Sequence, residues 1–168
     1  MIGDRWGVTE EEVARRYGCD DLVPDATLEA WRGVGVDAEA EVVWARVRQL
    51  RLAPYSYDLV DNLGRRSPPA LRDVPEPEVG DPFTHAFGRP QGRVVAVVPG
   101  RELTATIMGA HLSYAVLAGG AGGGTRLVLK VAARTSRWLA PLGSVGDLVM
   151  ARRQLLNLKR LAEGDERR

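Results

Sequence analysis

Polar and aromatic side chains are densest between Tyr55 and Asn62, in the segment YSYDLVDN. On a helix, Tyr57 and Asp61 share one face and Tyr55 and Asp58 another, because residues three and four apart are neighbours. Phenol and carboxylate groups on the wall of an apolar cavity could orient a ligand through hydrogen bonds. The rings could instead pack under a sheet while the acids pair with arginines, and the sequence leaves both interpretations open.

The chain has two histidines, His85 and His111. Neither has Asp, Glu or Cys at a spacing typical of metal ligands, so no metal site is predicted. His85 shares strand parity with Phe83 and Phe87, which directs it to the apolar side of a sheet. There it is either a core histidine bonded to the backbone or a cavity-facing acid, base or ligand anchor. His111 shares parity with Ser113, which indicates a surface position.

Motifs for covalent catalysis and nucleotide binding are weak or absent in this sequence. There is no GxSxG segment, so a serine hydrolase is not predicted. The segment GVGVDA (33–38) matches a relaxed dinucleotide fingerprint. Hairpins rather than parallel strand and helix units follow it, so small residues packed under a helix are the preferred interpretation. The glycines at 119–124 predict a flexible hairpin connection, and no cofactor is expected.

Length and composition predict one globular domain, since the chain has 168 residues, 45% hydrophobic and 27% charged. The 23 basic and 22 acidic residues nearly cancel, which predicts neither nucleic-acid binding nor membrane insertion. Cys19 is the single cysteine, so it cannot form an internal disulfide, which is typical of a reducing compartment. The first residues contain no apolar signal core, and a cytoplasmic location is therefore expected.

The first third of the chain predicts short helices around one strand. Thr9 and Glu12 form a capping-box pattern that predicts a helix as far as Tyr17, with Gly18 as its end. Residues 27–36 alternate apolar and polar or small side chains, which predicts a strand.

Two short helices are predicted after that strand. Asp37 is the expected N-cap of the first, and Pro54 follows its end. The second covers 55–62, and the prolines between 68 and 82 predict an irregular connection. The first helix is predicted to turn Val43, Val47 and Leu50 inward and Arg46, Arg48 and Arg51 outward.

From residue 83 onward the hydrophobic period is two, which predicts an antiparallel meander. The expected strands are near 83–88, 93–98, 102–108, 110–118 and 125–134, with a turn at 88–92. Their apolar face comprises Phe83, Phe87, Leu103, Ala105, Ile107, Leu112, Tyr114, Val116, Leu127, Leu129 and Val131. The opposite face carries Glu102, Thr104, Thr106, Ser113, Arg126 and Lys130 and is expected to be wet.

A long amphipathic helix is predicted at the end of the chain, capped at Ser144 and ended by Gly164. It would cover the apolar face of the sheet. Its apolar stripe contains Leu148, Ala151, Leu155, Leu158 and Ala162.

This order of elements, with the segments 36–68, PGREL (99–103) and 146–163, resembles the SRPBCC or START-like superfamily of polyketide cyclase/dehydrase-like proteins. PYSYDLVDNLGRRSP and LLNLKRL are similar to stretches of an uncharacterised bacterial subgroup. The resemblance implies an α+β helix-grip fold, in which a curved antiparallel sheet wraps around a long C-terminal helix and two short helices follow the first strand. It implies a helical extension at 1–26, the SRPBCC/START-like domain at 27–163 and a charged tail at 164–168.

Members of this superfamily usually enclose an apolar cavity for lipids, sterols, polyketides or aromatic compounds. The resemblance therefore implies a binding or carrier module for a small hydrophobic ligand. A cyclase or dehydratase-like enzyme in the same cavity is one alternative, and an interaction protein with a filled core is another. The candidate ligand-binding residues are Tyr55, Tyr57, Asp58, Phe83, His85, Phe87, Ile107, Tyr114 and Leu155.

Overall fold

A computed structural model describes residues 4–55, 68–86, 88–119, 123–134 and 140–167. The helices are α1 (Glu10–Ala14), α2 (Gly18–Leu22), α3 (Ala40–Arg48), which continues into a 3₁₀ turn (Gln49–Arg51), and α4 (Ala140–Glu166). The strands are β1 (Arg5–Trp6), β2 (Leu28–Val36), β3 (Pro82–Ala86), β4 (Arg89–Val98), β5 (Glu102–Ile107), β6 (Ala110–Ala118) and β7 (Thr125–Ala133). Within these ranges, no helix is long and apolar enough to cross a membrane.

The seven described strands form one open sheet in the order β1-β2-β7-β6-β5-β4-β3. Strands β3 to β7 pair antiparallel with their sequence neighbours, so the predicted meander is confirmed. Strand β2 pairs antiparallel with β7, which brings the first long strand beside the last. The short β1, which the sequence pattern did not predict, pairs parallel with β2 and makes the sheet mixed.

Glycines with positive φ occupy the tight turns of the meander. Gly88, Gly100 and Gly109 have φ of 73°, 73° and 81°, a region that only glycine enters without strain. The predicted turn at 88–92 is wrong, because β4 begins at Arg89. Gly92 lies inside β4 with φ 66°, and a Cβ at this position would lie 2.3 Å from the backbone oxygen of Thr106. It is therefore a site of close strand approach.

Helices α3 and α4 cover the inner face of the sheet and form the main core. The predicted stripe of α4 is buried at Ala151, Leu155, Leu158 and Ala162, while the Leu148 side chain lies outside the described part. From the first helical segment and the sheet, the core takes Val43, Val47, Leu50, Leu103, Ala105, Leu112, Tyr114, Val116, Leu127, Leu129 and Val131.

Helix α4 begins before Ser144 and continues past Gly164, so the cap and the stop predicted at these residues are both wrong. The last turn is held by α3, because Arg46 donates from Nε to Oδ2 of Asp165 over 2.6 Å. A glycine near a helix end costs only about 1 kcal/mol. A tertiary contact beyond it can therefore keep the chain helical.

The beginning of α3 also differs from the prediction. Glu39, not Asp37, is the N-cap residue, and its side chain makes no capping hydrogen bond. The backbone N–H groups of Asp37 and Glu39 instead donate to Glu163 and Glu166 of α4, over 3.0 and 3.2 Å. Carboxylates from a distant helix replace the expected local cap.

The outer face of the sheet is covered, so the expectation of a wet face is wrong. Helices α1 and α2 pack Tyr17, Cys19 and Val23 against it and form a second core with Trp31, Ala115, Val128 and Ala132. The capping box of Thr9 and Glu12 is confirmed. However, α1 ends at Ala14, and Gly18 begins α2 instead of ending the first helix.

Lys130 and Ser113, two polar residues buried under this outer layer, have partners. The Lys130 ammonium pairs with Asp20 and lies 2.9 Å from Glu29 and 4.8 Å from the centre of the Trp31 ring. The Ser113 hydroxyl accepts from the backbone N–H of Cys19 over 3.0 Å. Because Lys130 and Ser113 are paired, their burial in this layer does not carry a large desolvation cost.

Candidate functional site

A groove of about 400 Å³ lies at the end of the sheet next to the β5–β6 hairpin. The β4–β5 pairing starts at Arg93 opposite Thr106 and β5 ends at Ile107, so residues 89–91 of β4 extend beyond the end of β5. The volume lies within the range of about 300–1,000 Å³ typical of small-molecule sites. The groove is lined by Pro82, Pro90, Gly92, Arg93, Thr106, Ile107 and Met108.

The groove has apolar walls and a polar rim. Ile107 and two prolines contribute the apolar surface, while Thr106 and Arg93 contribute polar atoms. Met108 is 96% exposed, and its φ of 49° lies in the left-handed region that disfavours residues other than glycine. Met108 and Gly109 thus form a tight hairpin turn that places a thioether at the rim.

His85 stands beside this groove. It is directly opposite Pro90 in the β3–β4 pairing, and opposed residues have Cβ atoms about 4.5–5.5 Å apart. The ring is half-buried, and its Nδ1 lies 2.8 Å from the backbone oxygen of Arg51. Arg51 is itself tied to β3, since its guanidinium lies 3.2 Å from the Asp81 carboxylate. A backbone contact thus fixes the orientation of the imidazole.

Phe83, Tyr114 and Leu155 lie deeper, in the layer between the sheet and α4. The rings of Phe83 and Tyr114 have centroids 6.0 Å apart. The Tyr114 hydroxyl donates to Oε1 of Gln154 over 2.7 Å, and Nε2 of Gln154 donates to the backbone oxygen of Pro54 over 2.5 Å. Leu155 is fully buried. These candidate residues contact core side chains.

Tyr55 is also interior, although it is not helical, since its φ is 57°. Its hydroxyl donates to the backbone oxygen of Pro68 over 3.0 Å and accepts from Nε2 of Gln49 over 3.1 Å. Asn157 of α4 donates to the Tyr55 carbonyl over 2.9 Å. The rest of the predicted helix 55–62 lies outside the described residues, as do the candidates Tyr57, Asp58 and Phe87.

A buried polar network built on Arg46 was not predicted from the sequence pattern. This residue, predicted to face outward, is 1% exposed. It donates to Gln49 and to the backbone oxygen of Pro69, each over 3.0 Å, and to Asp165 as described above. The available signal was its position next to Val47 and three residues from Val43 in the apolar stripe. The network joins α3, the start of the proline-rich segment 68–82 and the last turn of α4.

Two large pKa shifts among the described residues lie in the outer layer, away from the groove. Burial raises the pKa of the Tyr17 hydroxyl to about 12. Burial likewise raises the pKa of the Cys19 thiol to about 11, against the opposing hydrogen bond with Ser113. Within the ranges that the structure describes, no three His, Cys, Asp or Glu side chains are grouped to hold a metal ion.

Comparison with known proteins gives matches among solved structures. A protein from Nitrosospira multiformis is 14% identical with a TM-score of 0.55, covering 83% of this chain and 99% of its own. A protein from Rhodobacter sphaeroides is 15% identical with a TM-score of 0.51, covering 84% and 95%. A polyketide-cyclase-like protein from Corynebacterium glutamicum is 14% identical with a TM-score of 0.49, covering 84% and 94%.

No family model matches the chain, and no curated protein matches it. At identities of this size the structural likeness shows the fold. Among the described residues the chain has an α+β helix-grip fold, in which an open sheet packs on a long C-terminal helix. The fold that the sequence resemblance implied is confirmed.

Proposed function

We propose that this protein binds a small hydrophobic ligand and that the groove beside the β5–β6 hairpin is where the ligand enters. The observation that supports this proposal is the groove itself, which has a volume of about 400 Å³ and is lined by two prolines, Ile107 and Met108 together with Gly92, Arg93 and Thr106. Concave apolar surface with a few polar groups is the usual composition of small-molecule sites.

The groove meets the inner face of the sheet at its least covered end. Ile107 lines the groove and is half-buried against the main core. Ala110 and Ala133 are paired on the same inner face, and they are also half-buried. Leu127, towards the other end of β7, is completely buried. Side chains bury the inner face less completely at this end of the sheet. An apolar ligand in the groove would therefore cover apolar surface that the side chains leave exposed.

The size of the groove favours a compact ligand such as one or two fused aromatic rings. Ile107 and the prolines would contact the ring faces, and the Met108 thioether can adapt to different shapes because it is flexible and polarisable. Arg93 and Thr106 provide polar atoms at the rim for a single substituent. Such a ligand would bury most of its apolar surface.

Fluorescence titration with N-phenyl-1-naphthylamine, an uncharged apolar probe, tests the proposal. We expect saturable binding by the wild-type protein and at least about tenfold weaker binding by Ile107→Arg, because a charge would replace apolar wall. Val98→Arg is the matched control, since Val98 is 51% exposed and lies at the opposite end of the β4–β5 pairing. Absence of saturable binding, or equal affinity in both variants, would contradict the proposal.

An interaction protein with a filled core is the second candidate, favoured by the dense packing under α4. Leu129, Leu155 and Leu158 are each at most 1% exposed, and Phe83 fills space against Tyr114. In this alternative the groove is a surface feature and freshly purified protein carries no small molecule. Native mass spectrometry distinguishes the two, since a co-purified apolar compound favours the binding module.

A further inference from the structure

We infer that Nε2 of His85 accepts a hydrogen bond from a hydroxyl group of the ligand, so that the ligands of this groove are apolar alcohols or phenols. This inference rests on the proposed function, because it assigns a polar contact within the same site. It specifies the atom that selects the ligand and the chemical group that the atom selects.

The first step is the tautomer of the imidazole. Nδ1 of His85 lies 2.8 Å from the backbone oxygen of Arg51. A carbonyl oxygen can only accept, so the hydrogen of this contact belongs to Nδ1. A neutral imidazole carries one N–H, and Nε2 is therefore left with a lone pair. The backbone contact makes the other ring nitrogen a hydrogen-bond acceptor.

The second step is the availability of Nε2. Across the part of the chain that the structure describes, the contact with Arg51 is the one hydrogen bond of the His85 side chain. The ring is half-buried and lies opposite Pro90, which lines the groove. Because proline has no side-chain polar atom, it cannot satisfy Nε2 from across the strand pair.

The third step is the preference that follows. A lone pair gains a hydrogen bond from a hydroxyl group and gains nothing from an ether or ketone of the same shape. For a half-buried ring beside the groove, one neutral hydrogen bond changes affinity by roughly 3- to 10-fold. His85 thus discriminates between ligands of equal size by whether they carry a donor.

Two probes with the same ring system, 2-naphthol and 2-methoxynaphthalene, isolate this effect. The measured quantity is the ratio of their dissociation constants, which cancels the ring contribution. We expect His85→Phe to shift this ratio against 2-naphthol by about 3- to 10-fold relative to wild type. Val98→Phe is the control, because Val98 is 51% exposed and lies at the opposite end of the β4–β5 pairing. It should leave the ratio unchanged.

The tautomer is tested on the wild-type protein by nitrogen NMR of the imidazole rings, with His111→Gln used for assignment. In the neutral ring we expect a protonated Nδ1 and an unprotonated Nε2 in His85. The Nε2 resonance should move on addition of 2-naphthol and stay in place with 2-methoxynaphthalene. A protonated Nε2 in the neutral ring would overturn the inference, and this measurement does not depend on the variant folding.

The outcomes separate this inference from the proposed function. If both probes bind and His85→Phe leaves the ratio unchanged, the assignment of His85 is wrong and the binding groove stands. If neither probe binds the wild-type protein, the groove proposal is wrong for ligands of this size, and the assignment of His85 is wrong with it.

Discussion

Arg46 and Asp165 are separated by 119 positions in the chain, yet Nε of Arg46 donates to Oδ2 of Asp165 over 2.6 Å. The arginine is 1% exposed and the aspartate side chain 16% exposed. This pair joins the helix after the first long strand to the last turn of the C-terminal helix. It therefore holds α3 against the C-terminal end of α4, in the layer that covers the inner face of the sheet.

Replacing Arg46 with alanine should lower the free energy of unfolding by about 3–5 kcal/mol, because it leaves a partly buried carboxylate and the Gln49 amide without their partner. Urea denaturation measures the change. Arg48→Ala is the matched control, since Arg48 lies 3.5 Å from a half-exposed Glu76 and such pairs contribute less than about 1 kcal/mol. Equal losses in the two variants would contradict the assigned role of Arg46.

The two glycines of the GVGVDA segment should respond differently to substitution. A Cβ at Gly33 would lie 2.9 Å from both the Gly7 oxygen and a Val8 methyl group, so Gly33→Ala should destabilise by about 1–3 kcal/mol. A Cβ at Gly35 would meet nothing closer than 3.8 Å, so Gly35→Ala should be neutral or stabilise by up to about 1 kcal/mol. Thermal denaturation of both variants provides the comparison. Tolerance of Gly33→Ala would show that close packing of the N-terminal segment does not require this glycine.

Glu12 should make stability depend on pH. Burial alone would raise the pKa of its carboxyl, but hydrogen bonds from Arg126 and the Thr9 backbone outweigh burial and hold the pKa below the ordinary 4.5. A lowered folded-state pKa stabilises the fold above the unfolded value, and this contribution is lost as the pH falls through the folded value. The stability gap between wild type and Glu12→Gln should therefore be largest near neutral pH and shrink below about 4.5.

Urea denaturation of both proteins from pH 7 to pH 3 measures that gap. Glu10→Gln is the control, because the Glu10 side chain is 87% exposed and pairs with a half-exposed Arg5. Exposed pairs of this kind contribute less than about 1 kcal/mol. A gap for Glu12→Gln that stayed constant across the range would show that the charge of Glu12 does not stabilise the outer layer.

Cys19 should be unreactive in the native protein. It is fully buried, and its pKa of about 11 leaves little thiolate at pH 8. Labelling with Ellman's reagent should be at least about 100-fold slower in buffer than in guanidinium, since a two-unit pKa difference alone accounts for that factor. Tyr17→Ala should accelerate labelling by loosening the outer layer. Rapid labelling of the wild-type protein would contradict the packing of α2 on the sheet.

Local patterns were sufficient for the strands of the meander and for the inward face of the C-terminal helix. The period of two from residue 83 and the glycines at the turns predicted β3 to β7 within a few residues, because strand faces and positive φ angles are determined by neighbouring residues. The apolar stripe through Leu155 and Leu158 predicted the inward face of α4 for the same reason. Ile107 was likewise predicted on the inner face, where it reaches the groove.

Alternation along a strand distinguishes two faces but does not indicate what covers the second one. Ser113 and Lys130 are buried because α1 and α2 return across the outer face, a contact between residues about a hundred positions apart. The groove was not predicted either, because it too arises from contacts between separate segments of the chain. It depends on β4 extending past β5, which is a property of strand pairing rather than of either segment.

The sequence by itself determined the meander from β3 to β7, the inner face of the sheet and the α+β class, since these follow from local periodicity and turn chemistry. Tertiary structure decided where helices end and which polar residues are interior. Glu163 and Glu166 supply the start of α3 with acceptors that its own residues do not provide. Arg46 is interior because Asp165, Gln49 and Pro69 satisfy its guanidinium. Asp165 and Pro69 lie far from Arg46 along the chain, so no short-range pattern encodes these two partners, which help to compensate the desolvation of its charge.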